Sequence, residues 1–96
     1  MSRTVKEGVV ENHLVTEVKR MGGEVRKVQW IGRRGAPDRL VLRPGSAPLW
    51  IELKRPGLKA EPHQAREHER MRELGCRVVV IDTVEGVDAL LAGNYR

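Results

Sequence analysis

The sequence predicts an α/β domain, a mixed sheet with helices on both faces. Three observations carry that expectation. The chain opens on apolar residues at helical spacing, Val5, Val9, Val10, Leu14, Val15, Val18 and Met21, with one apolar face. Two apolar runs, 38–43 and 49–55, are separated by Pro44-Gly45-Ser46-Ala47-Pro48, the pattern of a hairpin. A charged helical stretch then leads to Val78-Val79-Val80-Ile81, a β-branched run suited to a strand covered on both sides.

The chain has 96 residues, which makes one domain able to bury a single core. Hydrophobic residues are 40% and charged residues 32%, a folded rather than a disordered balance. There is no Phe and one Tyr, so the core must come from Val, Leu, Ile and two Trp. Lys plus Arg is 18 against 13 for Asp plus Glu, a net +5 that points to a polyanion, most simply nucleic acid. The excess is mostly arginine, the side chain suited to bidentate phosphate contacts. Cys76 is the single cysteine, which excludes an internal disulfide and a Cys-based metal site. It is expected as a buried thiol at the start of a strand. No apolar run approaches the roughly 20 residues of a membrane helix, and the start of the chain carries no apolar leader segment. The expectation is a cytoplasmic setting with no membrane partner.

Taken in order, residues 3–21 read as a helix. Ser2 or Thr4 can cap its start, and Gly22-Gly23 end it. Glu7, Glu11, Leu14 and Val18 share one side of it, so an acid stands at the rim of the buried stripe. Residues 24–31 read as a strand with imperfect alternation, bulged near Arg26-Lys27. Gly32-Arg33-Arg34-Gly35 is a flexible basic loop. Residues 38–43 form the next strand, with Asp38, Leu40 and Leu42 on one face and Pro37 ahead of it. In residues 49–55, Leu49, Ile51 and Leu53 face one way and Trp50, Glu52 and Lys54 the other. Pro62 fits the first position of a helix that runs to about Leu74 and stops at Gly75. Its apolar stripe is thin (Ala65, Met71, Leu74), and the rest reads as a solvated charged face. Asp82-Thr83 cap a last helix, 84–92, ended by Gly93. The order is α-β-β-β-α-β-α: an antiparallel meander, then a crossover helix to a covered strand.

Charges inside strands need a reason, because burying them is costly. Asp38 stands at the mouth of one strand, and Glu52 and Lys54 sit on one face of its hairpin partner. Two carboxylates and a lysine suit divalent-cation chemistry on a phosphodiester. A hard cation such as Mg²⁺ prefers such oxygens, and the Leu53 backbone carbonyl between Glu52 and Lys54 could add a ligand. Lys54 can orient a water or stabilise the phosphate. Glu11 could complete the site directly or through water, and Gln64 could position the nucleophile or the scissile phosphate. Alone, a Pro-Asp is a common turn and a Glu-x-Lys an exposed pair worth little; joint order and spacing carry the signal. Lys27, Arg33, Arg34 and Arg39 are candidate DNA contacts, and His63 or His68 a candidate phosphate contact. His13, His63 and His68 have no shared metal spacing, and Trp30 and Trp50 are expected in the core or an interface.

At these residues the chain resembles a known family. Gly35-Ala36-Pro37-Asp38 followed by Ile51-Glu52-Leu53-Lys54 is similar to the PD-(D/E)xK nuclease signature. The wider pattern resembles the VRR-NUC family: Val10-Glu11 with Leu14, Gly22-Gly23, Arg39 after Asp38, Pro56-Gly57, and Gln64 before Leu74-Gly75. The resemblance spans nearly the whole chain and implies a restriction-endonuclease-like αβββαβ(α) core. It implies Glu11, Asp38, Glu52, Lys54 and Gln64 as the catalytic set. The metal site would be Asp38, Glu52, the Leu53 carbonyl and Glu11 (direct or through water), with Mg²⁺ or Mn²⁺ as cofactor. Glu7 lies one turn before Glu11, and either could reach the metal. Stand-alone members are similar to Holliday junction resolvases, homodimers on branched DNA, often found in phage or prophage. The expected function is thus a metal-dependent, structure-selective DNA endonuclease in phage replication, recombination or repair. The rival is a non-catalytic nucleic-acid-binding or assembly module on the same fold, against which the intact Asp38, Glu52 and Lys54 argue.

Overall fold

The computed structural model describes residues 8–93. Its elements are α1 (Val9–Arg20), β1 (Glu24–Lys27), β2 (Arg39–Leu42), β3 (Leu49–Leu53), α2 (Pro62–Glu73), β4 (Arg77–Ile81) and α3 (Val84–Leu91). The sheet order is β1-β2-β3-β4. The first two pairings are antiparallel and β3 with β4 is parallel, joined by α2 as the crossover. This is the α/β mixed sheet that the order of elements predicts. Among the described residues no helix is long and apolar enough to cross a membrane.

Strand alternation divides the structure. Val41, Leu49, Ile51, Val79 and Ile81 form one buried cluster with Val10, Leu14 and Val18 of α1 and Val87 and Leu90 of α3. Burying these aliphatic side chains stabilises the fold by roughly 1.5–3 kcal/mol each. Trp50 and Glu52, offset by one residue, face the layer made by α2.

α1 begins at Val9 with Gly8 at its N-cap position. The caps expected from Ser2 or Thr4, and Glu7, lie outside the described residues. Glu11 in the first turn and Lys19 and Arg20 in the last match the helix dipole. The helix closes with the Gly23 N–H on the Val18 carbonyl at 2.9 Å. A Cβ on Gly23 would overlap the Leu42 carbonyl oxygen, so only glycine lets the chain enter β1 there.

Five expectations change. No bulge interrupts Arg26-Lys27, which pair one-to-one with Leu40 and Arg39. The first strand stops at Lys27 rather than residue 31, because Trp30 turns away to pack on Trp50 with ring centroids 5.8 Å apart. Val28 keeps one ladder bond, to the Asp38 carbonyl at 2.9 Å. The inward face of α2 is polar: Glu67, His68 and Met71 are buried, whereas Ala65 is exposed and Leu74 is 80% exposed. That helix covers a strand face carrying Glu52, so it supplies hydrogen-bonding groups rather than aliphatic ones. Thr83 alone caps α3, accepting from the Gly86 N–H at 2.9 Å, while Asp82 accepts instead from the Gly57 N–H. Cys76 is half-buried, not buried, just ahead of β4.

Candidate active site

A cavity of about 480 Å³ opens where the first turn of α1, the mouth of β2, the end of β3 and the start of α2 meet. Val10, Glu11, Asp38, Glu52, Leu53, Lys54 and Gln64 line it, with Arg55, Pro56 and Leu58 on the turn after β3. All five residues expected to be catalytic therefore border one space, although they span much of the sequence.

β2 and β3 pair with Arg39 opposite Ile51 and Leu40 opposite Trp50. That register sets Asp38, one residue before β2, near the end of β3. Asp38 Oδ2 accepts the Leu53 backbone N–H at 2.8 Å, which fixes the carboxylate against the neighbouring strand. Glu52 is 2% exposed. Its Oε2 accepts from Gln64 Nε2 at 3.0 Å and pairs with Lys54 Nζ at 3.4 Å. Burial, and then the Asp38 carboxylate beside it, push Glu52 above the ordinary carboxylate range. Lys54 and the Gln64 hydrogen bond oppose that shift without cancelling it.

Gln64 is held at both ends of its amide. As N3 of α2, its Oε1 accepts the Glu61 N–H at 2.8 Å in a capping box, leaving its NH₂ to donate to Glu52. One residue thereby starts the helix and orients the buried acid.

Glu11 lines the cavity but is engaged by Arg39, whose Nε and Nη2 both reach Glu11 Oε2, at 3.0 and 2.6 Å. Arg39 Nη1 also donates to the Asp38 carbonyl at 3.0 Å. Its side chain is only 15% exposed. The expected DNA contact at Arg39 is thus a half-buried strut between α1 and the mouth of β2. Lys27 is exposed and does not line the cavity. Arg34 is exposed in the basic loop, and Arg33 is tethered to Glu67.

Two residues of α2 take parts other than those the sequence suggests. Glu67, expected in a solvated face, is 6% exposed. It accepts from Trp30 Nε1 at 2.9 Å and from Arg33 Nη2 at 2.8 Å, anchoring both ends of segment 30–33. Gly35 packs against the same spot: with φ +94 its Cβ would stand 2.8 Å from Glu67 Cβ. The segment leading to Asp38 is therefore docked on α2 rather than flexible. His68, expected near phosphate, is 1% exposed beneath Glu52, with Nε2 3.9 Å from Glu52 Oε1. Burial and then Arg72 hold its ring below the ordinary imidazole value. A partner spacing of four from Gln64 was the available signal for His68; the Trp30–Glu67 contact spans 37 residues and has no local one.

His13 lies elsewhere, on Asp88 at 2.7 Å, tying α1 to α3. Among the described residues no three His, Cys, Asp or Glu side chains gather in a metal-binding group. The oxygen donors facing the cavity are instead the Asp38 and Glu52 carboxylates, with Glu11 beside them. Such a set fits a hard cation that keeps several waters and takes few protein ligands.

No family model matches the chain. It is 44% identical over 92 residues to "Putative nuclease p44" of Acyrthosiphon pisum secondary endosymbiont phage 1, covering 96% of this chain and 99% of that one. A solved structure of a VRR_NUC domain is similar with a TM-score of 0.85 and 40% identity, covering 93% of this chain and 97% of that one. With a fold of that order and near-full-length similarity to both, the chain belongs to the VRR-NUC family of the PD-(D/E)xK nuclease superfamily.

Proposed function

We propose that this protein is a Mg²⁺- or Mn²⁺-dependent DNA endonuclease. It is selective for branched structures in the manner of a Holliday junction resolvase and serves phage replication, recombination or repair. The observation that carries the hydrolytic reading is the convergence of Asp38, Glu52, Lys54 and Gln64 on one cavity. The phage relative named as a nuclease supports it.

Asp38 and Glu52 would hold the cation, with the Leu53 carbonyl as a further donor. Glu11 would act through water or by leaving Arg39. The raised Glu52 acid is a physical reason for a cation here: a positive charge beside it would offset first the cost of burying the carboxylate and then the repulsion that Asp38 imposes. When bound, such an ion would supply a Lewis acid for the phosphate and lower the pKa of water bound to it. Lys54 directs N–H donors into the cavity and offsets charge building on the phosphate oxygens. Gln64 holds the Glu52 carboxylate in place, so its geometry does not depend on the substrate. Arg33 and Arg34 offer phosphate contacts beside the site.

The test is a panel of junction, flap, splayed and linear DNAs incubated with Mg²⁺ or Mn²⁺ and read on a gel. Junctions are expected to be cut first, and chelator to stop cutting. Asp38→Ala and Lys54→Ala are each expected to lower the rate by about 10²-fold or more. Unchanged cutting in either variant sinks the catalytic assignment. Binding without cleavage of any DNA form would establish a binding module instead. We further propose a homodimer, since two strands of a junction must be cut and one chain extends only 39 × 35 × 24 Å; sedimentation at the mass of one chain would rule it out.

A further inference from the structure

Of the three buried side-chain polar atoms without a hydrogen-bond partner among the described residues, two lie close together. Glu52 Oε1 and His68 Nε2 are both shut off from solvent and unsatisfied, and they lie 3.9 Å apart. That gap is about 1 Å longer than an N–H···O bond, so a small turn of either side chain closes it. It is also short for a bridging water, which needs roughly hydrogen-bond length to each neighbour and a wider angle between them. Buried donors and acceptors are almost always satisfied, and an orphaned pair at this range is satisfied most simply by itself.

The placement has a cause in the helix. Gln64 and His68 are one turn apart on α2 and project to the same side. Gln64 already donates to Glu52 Oε2 at 3.0 Å. His68 addresses the other oxygen of the same carboxylate. A neutral imidazole carries one N–H, and if it sat on Nδ1 the Nε2 lone pair would confront the lone pairs of a carboxylate.

We propose that His68 is the positioning residue of Glu52: its Nε2–H donates to Oε1, so that α2 fixes both oxygens of the acid and sets its plane toward the cavity. This rests on the metal-dependent reading above, and it gives His68 a part that does not touch substrate. Outer-shell partners of a metal-binding group orient it in this way, and their loss commonly lowers metal affinity or activity by about 10–100-fold.

Three measurements test it. First, Mn²⁺ is titrated calorimetrically into the full chain without DNA, comparing wild type, His68→Leu and His68→Gln. Leucine is expected to weaken Mn²⁺ binding by about 10-fold or more. Glutamine, whose amide reaches about as far as Nε2, is expected to restore most of it. Second, with Mn²⁺ saturating, kcat on a cut DNA is expected to fall for His68→Leu with KM for DNA unchanged. Third, ¹⁵N NMR of wild-type protein in Mg²⁺ at neutral pH is expected to show the His68 proton on Nε2, a measurement independent of whether the variants fold. A proton on Nδ1, or His68→Leu with wild-type Mn²⁺ affinity, overturns the proposal. Wild-type protein that neither binds Mn²⁺ nor cuts any DNA overturns the metal-dependent reading itself, and with it this one.

Discussion

At the scale of single residues, Glu52 is the pivot. Its carboxyl is buried, and its pKa is raised first by that burial and next by Asp38. Between the ordinary carboxylate value and the raised one, the folded chain binds more protons than the unfolded chain. Glu52 therefore makes the metal-free protein less stable as pH rises through that window. Glu52→Gln is expected to melt higher than wild type at neutral pH without metal, by about 4–8 °C for each kcal/mol relieved. The gain is expected to shrink in acid, below the ordinary carboxylate range. Differential scanning calorimetry at both pH values checks this, and a variant that melts lower at neutral pH contradicts it. The same variant is expected to lose cleavage, which separates the acid's role in the site from its effect on the fold.

At the scale of elements, the link between segment 30–35 and α2 decides where Asp38 sits. Glu67 accepts both the Trp30 indole N–H and the Arg33 guanidinium. Glu67→Leu leaves both donors without that acceptor and is expected to destabilise by about 1–3 kcal/mol. Hydrogen exchange across residues 30–35 is expected to speed up, while β4 stays protected. Equal exchange in both proteins would show that the contact does not hold the segment. Gly35→Ala attacks the same junction by another route. It forces a side chain into φ +94 and brings its Cβ within 3.0 Å of the His63 carbonyl oxygen. The expected loss is at least about 1–2 kcal/mol, read from the urea midpoint.

At the scale of the whole molecule, the +5 charge sets how the protein meets a polyanion. Binding to DNA is expected to weaken steeply with salt, each neutralised phosphate contributing a slope of about −0.9 in log K against log salt. Arg34 is exposed, whereas Arg39 is committed to Glu11. Arg34→Ala is therefore expected to reduce that slope by about one and to leave kcat at saturating DNA unchanged. Arg39→Ala is expected to act differently: it releases Glu11 and should change kcat more than the salt slope. Fluorescence anisotropy across a salt series separates the two, and identical behaviour of both variants would contradict the division of labour.

Much of this protein was legible in one dimension. Period-two alternation placed Glu52 and Lys54 on one face of β3, and the Pro-Gly turn before it made the hairpin that brings Asp38 alongside. Helical spacing identified α1 and an apolar set from which Val10, Leu14 and Val18 are buried while Val9 and Met21 stay exposed, and the β-branched run identified β4. These follow from local rules: a strand alternates, a helix repeats, and glycine and proline interrupt both. What only the tertiary structure decided is which charges leave the solvent. Arg39 and Glu11 looked like a DNA contact and a metal ligand, and they meet as an ion pair across 28 residues. Glu67 looked like one more acid on a charged helix and is the anchor of Trp30, and His68 looked like a phosphate contact and lies beneath Glu52. The physical reason is that burial of a polar group is settled by partners brought from distant segments, and no period in the sequence records where those partners come from.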